Sequence, residues 1–210
     1  MEIEGETDFK KIDIKDLLRI FLEKNHCSAL FKLKNGFSGL YFWHNTWNTY
    51  FSTIRITKEY NYNFNNRWAR SKNIIFTSYP GTLSSLDYFY VSSHVLITIE
   101  TTNSFYNDIL YSEITHNSLF TCEWDMICNR ISNSSKECAE NFAKYNSGTN
   151  NNKFIVFDKN KINLVNKSID MDAFYIVETL SGIAKINNVT DIFKFWYWSS
   201  FNLPFDKELK

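Results

Sequence analysis

Charge of one sign is missing from this chain: 23 basic and 23 acidic residues leave a formal net charge of zero over 210 residues. Neither a polyanion-binding surface nor an acidic tail is implied. Aromatic residues make up 18% of the chain, but base-stacking platforms come with a basic groove and none is visible, which argues against nucleic acid as a partner. No run approaches the ~20 apolar residues that span a bilayer, so no transmembrane segment is expected. The start, Met1-Glu2-Ile3-Glu4-Gly5-Glu6, is acidic where a secretory signal is basic and then apolar, so the chain as written is expected in the cytosol. Internal repeats are absent. Close cysteine pairs are absent too. Cys122, Cys128 and Cys138, with His116, could be read as metal ligands, yet no Cys-x2-4-Cys spacing occurs, and buried apolar thiols are the better reading.

What the chain has is enough apolar material, 44% of residues, to close a sizeable core. Strand-like runs rich in Ile, Val, Thr, Phe and Tyr fall at 48–57, 73–78, 88–92, 95–101, 153–158 and 173–178. Helical patterns fall at 119–131 and at 135–145, where Ser134 can cap. Strands, then helices, then strands argue for α+β layers and against a regular parallel βαβ repeat. The Asn/Tyr-rich stretch 60–66 and Asn150-Asn151-Asn152 read as loops. Sequons at Asn133, Asn166 and Asn188 leave a glycoprotein open but carry little weight, because 25 asparagines and 35 serines and threonines would give about four by chance.

The most informative segment is His26-Cys27-Ser28-Ala29. Before it, Asp13 can cap a helix whose Ile14, Leu17, Leu18, Phe21 and Leu22 share one face, with Asn25 suited to its stop. After it, residues 28–34 alternate as a strand and Asn35-Gly36-Phe37-Ser38-Gly39 turns into Leu40-Tyr41-Phe42-Trp43. Cys27 thus opens the first strand of a hairpin. On position alone it is a small buried hydrophobe or a nucleophile.

The text around Cys27 resembles the phospholipase B-like family of N-terminal-nucleophile hydrolases. His26-Cys27-Ser28-Ala29-Leu30 is similar to the point where that family's precursor is cut, leaving the cysteine as a new amino terminus. His44-Asn45-Thr46-Trp47-Asn48, Ser78-Tyr79-Pro80-Gly81-Thr82, Ile99-Glu100-Thr101-Thr102, Tyr145-Asn146-Ser147-Gly148-Thr149 and Tyr197-Trp198-Ser199-Ser200-Phe201-Asn202-Leu203-Pro204 resemble further family blocks. Each block is weak alone, and the ordered set is specific.

The resemblance implies an αββα sandwich, incomplete relative to the family, with a short helical segment over 1–26 and one hydrolase domain over 27–210. It implies a lipid or phospholipid substrate, hydrolysis of a carboxylic ester or amide, and a secreted or lysosomal setting. The cleaved amino-terminal segment could stay associated. Once the His26-Cys27 bond is cut, the freed α-amine, with a reference pKa near 8, lies within reach of its own thiol and can act as its base. No metal or cofactor is required. By the resemblance His44 and Trp47 lie beside the nucleophile, while Thr101, Thr102 and an asparagine of the 146–152 loop, Asn146 or Asn151, contact the oxyanion or the amine. Read from the residues alone, the same positions suit core, strand and turn. Related enzymes place an arginine on a late strand where this chain has Met171 and Asp172. The short segment before Cys27 suggests a truncated member, for which an inactive relative kept as a structural or interaction domain is the alternative.

Overall fold

In β1 (Cys27–Leu33) every second residue is apolar, and the structure, a computed structural model that describes Asp13 and residues 27–48, 50–103 and 107–209, buries that set: Ala29, Phe31 and Leu33 all face inward. A strand with one apolar face must lie against another layer. β1 is the middle strand of a three-stranded antiparallel sheet, between β2 (Leu40–Thr46) and β12 (Tyr197–Ser200). In register Cys27 faces Thr46, Ala29 faces both His44 and Ser200, and Phe31 faces Trp198. The tight connection at Asn35–Phe37 needs Gly36 at φ 72°, where other residues are strained.

The layer beneath is a seven-stranded antiparallel sheet in the order β11-β10-β7-β6-β5-β4-β3. Its strands are β3 (Ile56–Asn61), β4 (Asn73–Ser78), β5 (Tyr90–Ser92), β6 (Leu96–Thr102), β7 (Asn152–Asp158), β10 (Phe174–Leu180) and β11 (Ile183–Asn188). The short pair β8 (Ile162–Asn163) and β9 (Ser168–Ile169) stands apart. β7 and β10 are buried throughout, as strands covered on both faces must be.

One face of the large sheet packs on the small sheet through Phe31, Ile97, Ile99, Ile155, Phe157, Phe174, Ile176 and Phe193. The other face carries α1 (Thr121–Ile131) and α2 (Ser135–Lys144), which cover Tyr90, Phe154, Val156 and Val177 with Cys128, Cys138 and Phe142. The Phe142 ring lies flat on Phe154, centroids 4.1 Å apart and planes 9° from parallel. Truncating such a buried phenylalanine costs about 3–5 kcal/mol.

The fold is therefore α+β, and among the described residues it has three layers: helices, large sheet, small sheet. α2 starts at the cap expected for it, the Ser134 hydroxyl accepting from the Glu137 N–H at 3.2 Å. The strand expected at 48–57 is a 3-10 turn at Tyr50–Thr53 followed by β3, because the Thr53 hydroxyl donates to the Tyr50 carbonyl at 2.7 Å and curls the chain locally. β3 continues to Asn61, into the stretch expected as loop. Strands β11 and β12 and the one-turn helix α3 (Thr190–Phe193) have no counterpart in the expected elements. The helix expected before Cys27, with His26, lies outside the described residues.

Candidate active site

Because β1 runs between β2 and β12, its first residue meets side chains from both ends of the described chain. Cys27, Ser28 and Trp47 form one side of a cleft of about 350 Å³, and Phe201, Asn202 and Leu203 form the other. Trp47 is more than half exposed there and its lining is largely apolar.

At Cys27 the thiol sulfur, a ring nitrogen of His44 and a carboxylate oxygen of Glu100 all lie within 4.8 Å of one another. The backbone N–H of Cys27 donates to Asn202 Oδ1 at 2.7 Å, and Asn202 Nδ2 donates to the Thr102 carbonyl at 2.6 Å. One amide thus clamps the nitrogen of Cys27 to the end of β6.

Burial pushes the Cys27 thiol up to about 12, and Glu100 adds to the rise, while backbone N–H groups of Trp47 and Thr102 oppose it. Burial likewise holds Glu100 well above the usual carboxylate range, reinforced by Asp87 and Asp125 and opposed by the Thr102 hydroxyl. That hydroxyl is 3.5 Å from Glu100 Oε2. With the Asn152 amide turned to suit its neighbours, its nitrogen donates to Glu100 Oε2 and to the Asn151 carbonyl, each at 3.1 Å.

His44 moves the other way. Burial lowers it to about 4, outweighing the pull of Asp87. Its Nδ1 lies 3.0 Å from the Thr46 hydroxyl, whose proton goes to Asp87 Oδ1 at 2.7 Å. A hydroxyl has one proton, so His44 Nδ1 must be the donor to Thr46 and Nε2 must carry the free lone pair. His44 Nε2 is buried with no hydrogen-bond partner. Asp87 anchors this relay: it also accepts from Thr77 and the Tyr79 hydroxyl at 3.1 Å and pairs with Arg55 at 3.3 Å.

Thiol, imidazole and carboxyl are donor types that suit a soft cation. Burial raises both the thiol and the carboxyl and so favours their protonated forms, which suits a proton-sharing cluster. A basic nitrogen, a thiol and two inward N–H groups are what an acyl-transfer nucleophile needs.

Of the expected site residues, His44, Trp47 and Thr102 surround Cys27. Thr101 sits one step away, its hydroxyl 2.7 Å from Ser200 Oγ and 3.4 Å from the Phe201 carbonyl, where it ties β6 to the segment carrying Asn202. Asn151 follows the same strand end, its carbonyl accepting from the Asn103 N–H at 2.9 Å, and its side-chain Oδ1 is buried without a partner. Asn146, expected beside the nucleophile, is instead spent on the β10–β11 turn: Nδ2 donates to Leu180 O and Ile183 O, and Oδ1 accepts from the Gly148 N–H. It lines a different cavity, with Trp124 and Tyr145. Gly148 itself is at φ 68°, where a Cβ would lie 2.7 Å from Ser181 Cα, so this block serves packing.

Sequence reasoning passed over Glu100, Thr46, Asn202, Asp87 and Arg55. Glu100 had a signal, as one acid inside the otherwise uncharged run Leu96–Thr102. Thr46 and Asn202 stood inside quoted blocks. Asp87 and Arg55 carry no local signal. The buried cation Lys153 serves the wall of the cleft: its Nζ donates to the Phe201 and Leu203 carbonyls and lies 3.8 Å from Glu178. Asp172, where the resemblance implies an arginine, accepts from Tyr175 and Asn188.

The phospholipase B family profile matches residues 2–210. The chain is 40% identical over 185 residues to Phospholipase B-like 1 of Rattus norvegicus, covering 88% of this chain and 34% of that protein. It is 38% identical over 204 residues to Phospholipase B of Crotalus adamanteus, with coverage of 97% and 36%. To Phospholipase B-like protein D of Dictyostelium discoideum it is 35% identical over 208 residues, with coverage of 98% and 36%. The chain thus spans about a third of the length of the curated relatives it matches.

Proposed function

The chain belongs to the phospholipase B family, and on that premise we propose that it is a lipid acyl hydrolase whose nucleophile is Cys27, freed as an amino terminus by self-cleavage of the His26-Cys27 bond. The observation that carries this reading is the convergence of the Cys27 sulfur, a His44 nitrogen and the Glu100 carboxylate within 4.8 Å, beside an Asn202 oxygen already bound to the Cys27 nitrogen.

The two stages need different bases. Before the cut the Cys27 nitrogen is an amide and has no basicity, so His44 Nε2 is the base that receives the thiol proton as the sulfur adds to the His26 carbonyl carbon, without a free thiolate. Collapse of the tetrahedral adduct breaks the C–N bond, the proton returns to the leaving nitrogen, and water hydrolyses the thioester. After the cut the new α-amine, held by Asn202, is itself a base with a reference pKa near 8. A positive α-ammonium beside the sulfur opposes the burial that holds the thiol neutral. Attack on a fatty-acyl ester or amide then gives an acyl-enzyme, with the Trp47 and Thr102 N–H groups as oxyanion donors; losing one such donor typically costs roughly 3 kcal/mol. The apolar cleft walls Trp47, Phe201 and Leu203 suit an acyl chain.

The same reading takes residues 27–210 as the hydrolase unit within an N-terminal-nucleophile sandwich, and a secreted or lysosomal setting. Among the described residues no helix is long and apolar enough to cross a membrane. Intact mass and amino-terminal sequencing at neutral and acidic pH test the proposal, with Cys27→Ala as control. A new terminus reading Cys27-Ser28-Ala29, absent from the variant, is expected. A chain that stays whole under every condition makes Cys27 a structural thiol and the protein an inactive relative.

A further inference from the structure

The helical layer holds a second sulfur site, remote from the hydrolase chemistry in both elements and partners. Cys128 on α1 and Cys138 on α2 are each 0% exposed, and their Sγ atoms lie 3.0 Å apart, closer than two unbonded sulfurs ordinarily rest. Cys128 Sγ also lies 3.5 Å from the Cys138 carbonyl and 3.6 Å from Ser132 Oγ. Both thiols sit in the apolar cluster with Tyr88, Phe142, Phe154 and Val177. Apolar packing accounts for two buried thiols, but not for one from each helix aimed at the other inside contact distance.

We propose that Cys128 and Cys138 are a disulfide site, joined by an oxidised low-molecular-weight or protein disulfide, so that α1 and α2 are stapled across the turn that separates them. One cysteine thiolate attacks the S–S bond of the oxidant and releases half of it as a thiol. The second cysteine sulfur displaces the other half. The protein gains one S–S bond, the oxidant is reduced by two electrons to two thiols, and the two cysteine protons leave with them. Because both sulfurs are fully enclosed in the folded chain, the exchange takes place before α1 and α2 close on the sheet. Cys122, on α1 and only partly buried, and Cys27 stay free. The bond forms only where an oxidant is maintained, so a chain that carries it has passed through an oxidising compartment.

The test is a thiol map. Reduced, denatured chain is refolded in a buffer of reduced and oxidised glutathione, then denatured and alkylated without further reduction. Digestion after Glu123 and Arg130 separates Cys122 from Cys128 and Cys128 from Cys138. A linked Cys128–Cys138 peptide pair with alkyl on Cys122 is expected, together with a Tm about 5–10 °C above that of the same chain in excess reductant. Chain secreted from cells through an oxidising pathway provides a second preparation for the same map. Alkyl groups on both Cys128 and Cys138 in both preparations overturn the proposal, as does a linked pair whose reduction leaves Tm unchanged. Cys122→Ser should leave the link in place, and the double change Cys128→Ser, Cys138→Ser should erase the dependence of Tm on reductant.

Discussion

Two glutamates are buried in the same sheet, and they live differently. Glu178 on β10 is fully enclosed, yet it accepts from the Phe205 and Asp206 N–H groups at 2.7 and 2.6 Å and from Asn103 at 3.3 Å, with Lys153 3.8 Å away. Glu100 on β6 is 2% exposed, and the Thr102 hydroxyl at 3.5 Å and the turned Asn152 amide are its donors, beside a thiol and an imidazole. A buried carboxylate with several donors and a cation is a structural joint. One with few donors keeps its proton and joins the chemistry around it. Glu178 and Lys153 hold the 201–206 segment in place, and that segment supplies Asn202 to Cys27.

Removing the joint should have the largest effect. Glu178→Ala leaves two backbone N–H groups without their acceptor and removes the counter-charge beside the buried Lys153 ammonium, and should cost about 3–5 kcal/mol in urea unfolding; a loss below about 1 kcal/mol would break the contrast. The next effect is a pH dependence set by the active cluster. His44 is lowered from 6.5 to about 4, so its contribution to stability is complete above pH 6.5 and is lost as pH falls through 4, by about 2 kcal/mol. Glu100 is raised above its ordinary 4.5, so its contribution is complete below pH 4.5 and drains away as pH rises. Their slopes oppose each other between 4.5 and 6.5, so a stability plateau is expected there, with decline as pH rises beyond it. His44→Gln should turn the plateau into a fall that begins near pH 4.5 in a pH series of urea unfolding; an unchanged plateau would place the opposing group elsewhere.

Thr46→Val keeps the shape of the strand but cuts His44 from Asp87. Self-cleavage should slow by about ten- to a hundredfold, timed by gel, with a stability loss of about 1 kcal/mol because Asp87 keeps its other donors. The smallest change in stability belongs to Glu100→Gln, which imitates the protonated acid: below pH 5 it should stay within about 1 kcal/mol of the parent, and the alkaline decline should disappear. If Glu100→Gln proved as damaging as Glu178→Ala, the two carboxylates would be the same kind of residue after all.

Elements with a strong period of their own were legible in the sequence. β1 shows its inward face in Ala29, Phe31 and Leu33, and α2 announces its start with Ser134. Elements set by a neighbour were not: β11 contains Lys185, Asn187 and Asn188 and becomes a strand because β10 offers it a free edge. The candidate site divides the same way. Cys27, His44, Trp47 and Thr102 stood within recognisable blocks. Asp87, Arg55 and Glu178 act through partners far along the chain, and Asn146, prominent in its block, turned out to bind a turn. Spacing along the sequence conveys what a segment does locally; a relay such as His44, Thr46 and Asp87 exists only after β2 and the segment before β5 have met.

The strand that carries the thiol is flanked on one side by the hairpin that follows it immediately and on the other by β12, whose Ser200 pairs with Ala29 from 171 positions later.

The consequence concerns timing during synthesis. A nascent chain that has emerged only as far as β11 carries the thiol, the imidazole and Glu100, but not the strand that completes the small sheet or the Asn202 amide that grips the Cys27 nitrogen. Under the proposed mechanism the cut therefore waits until the segment carrying Asn202 has been made, and the bond before Cys27 outlasts the synthesis of both sheets.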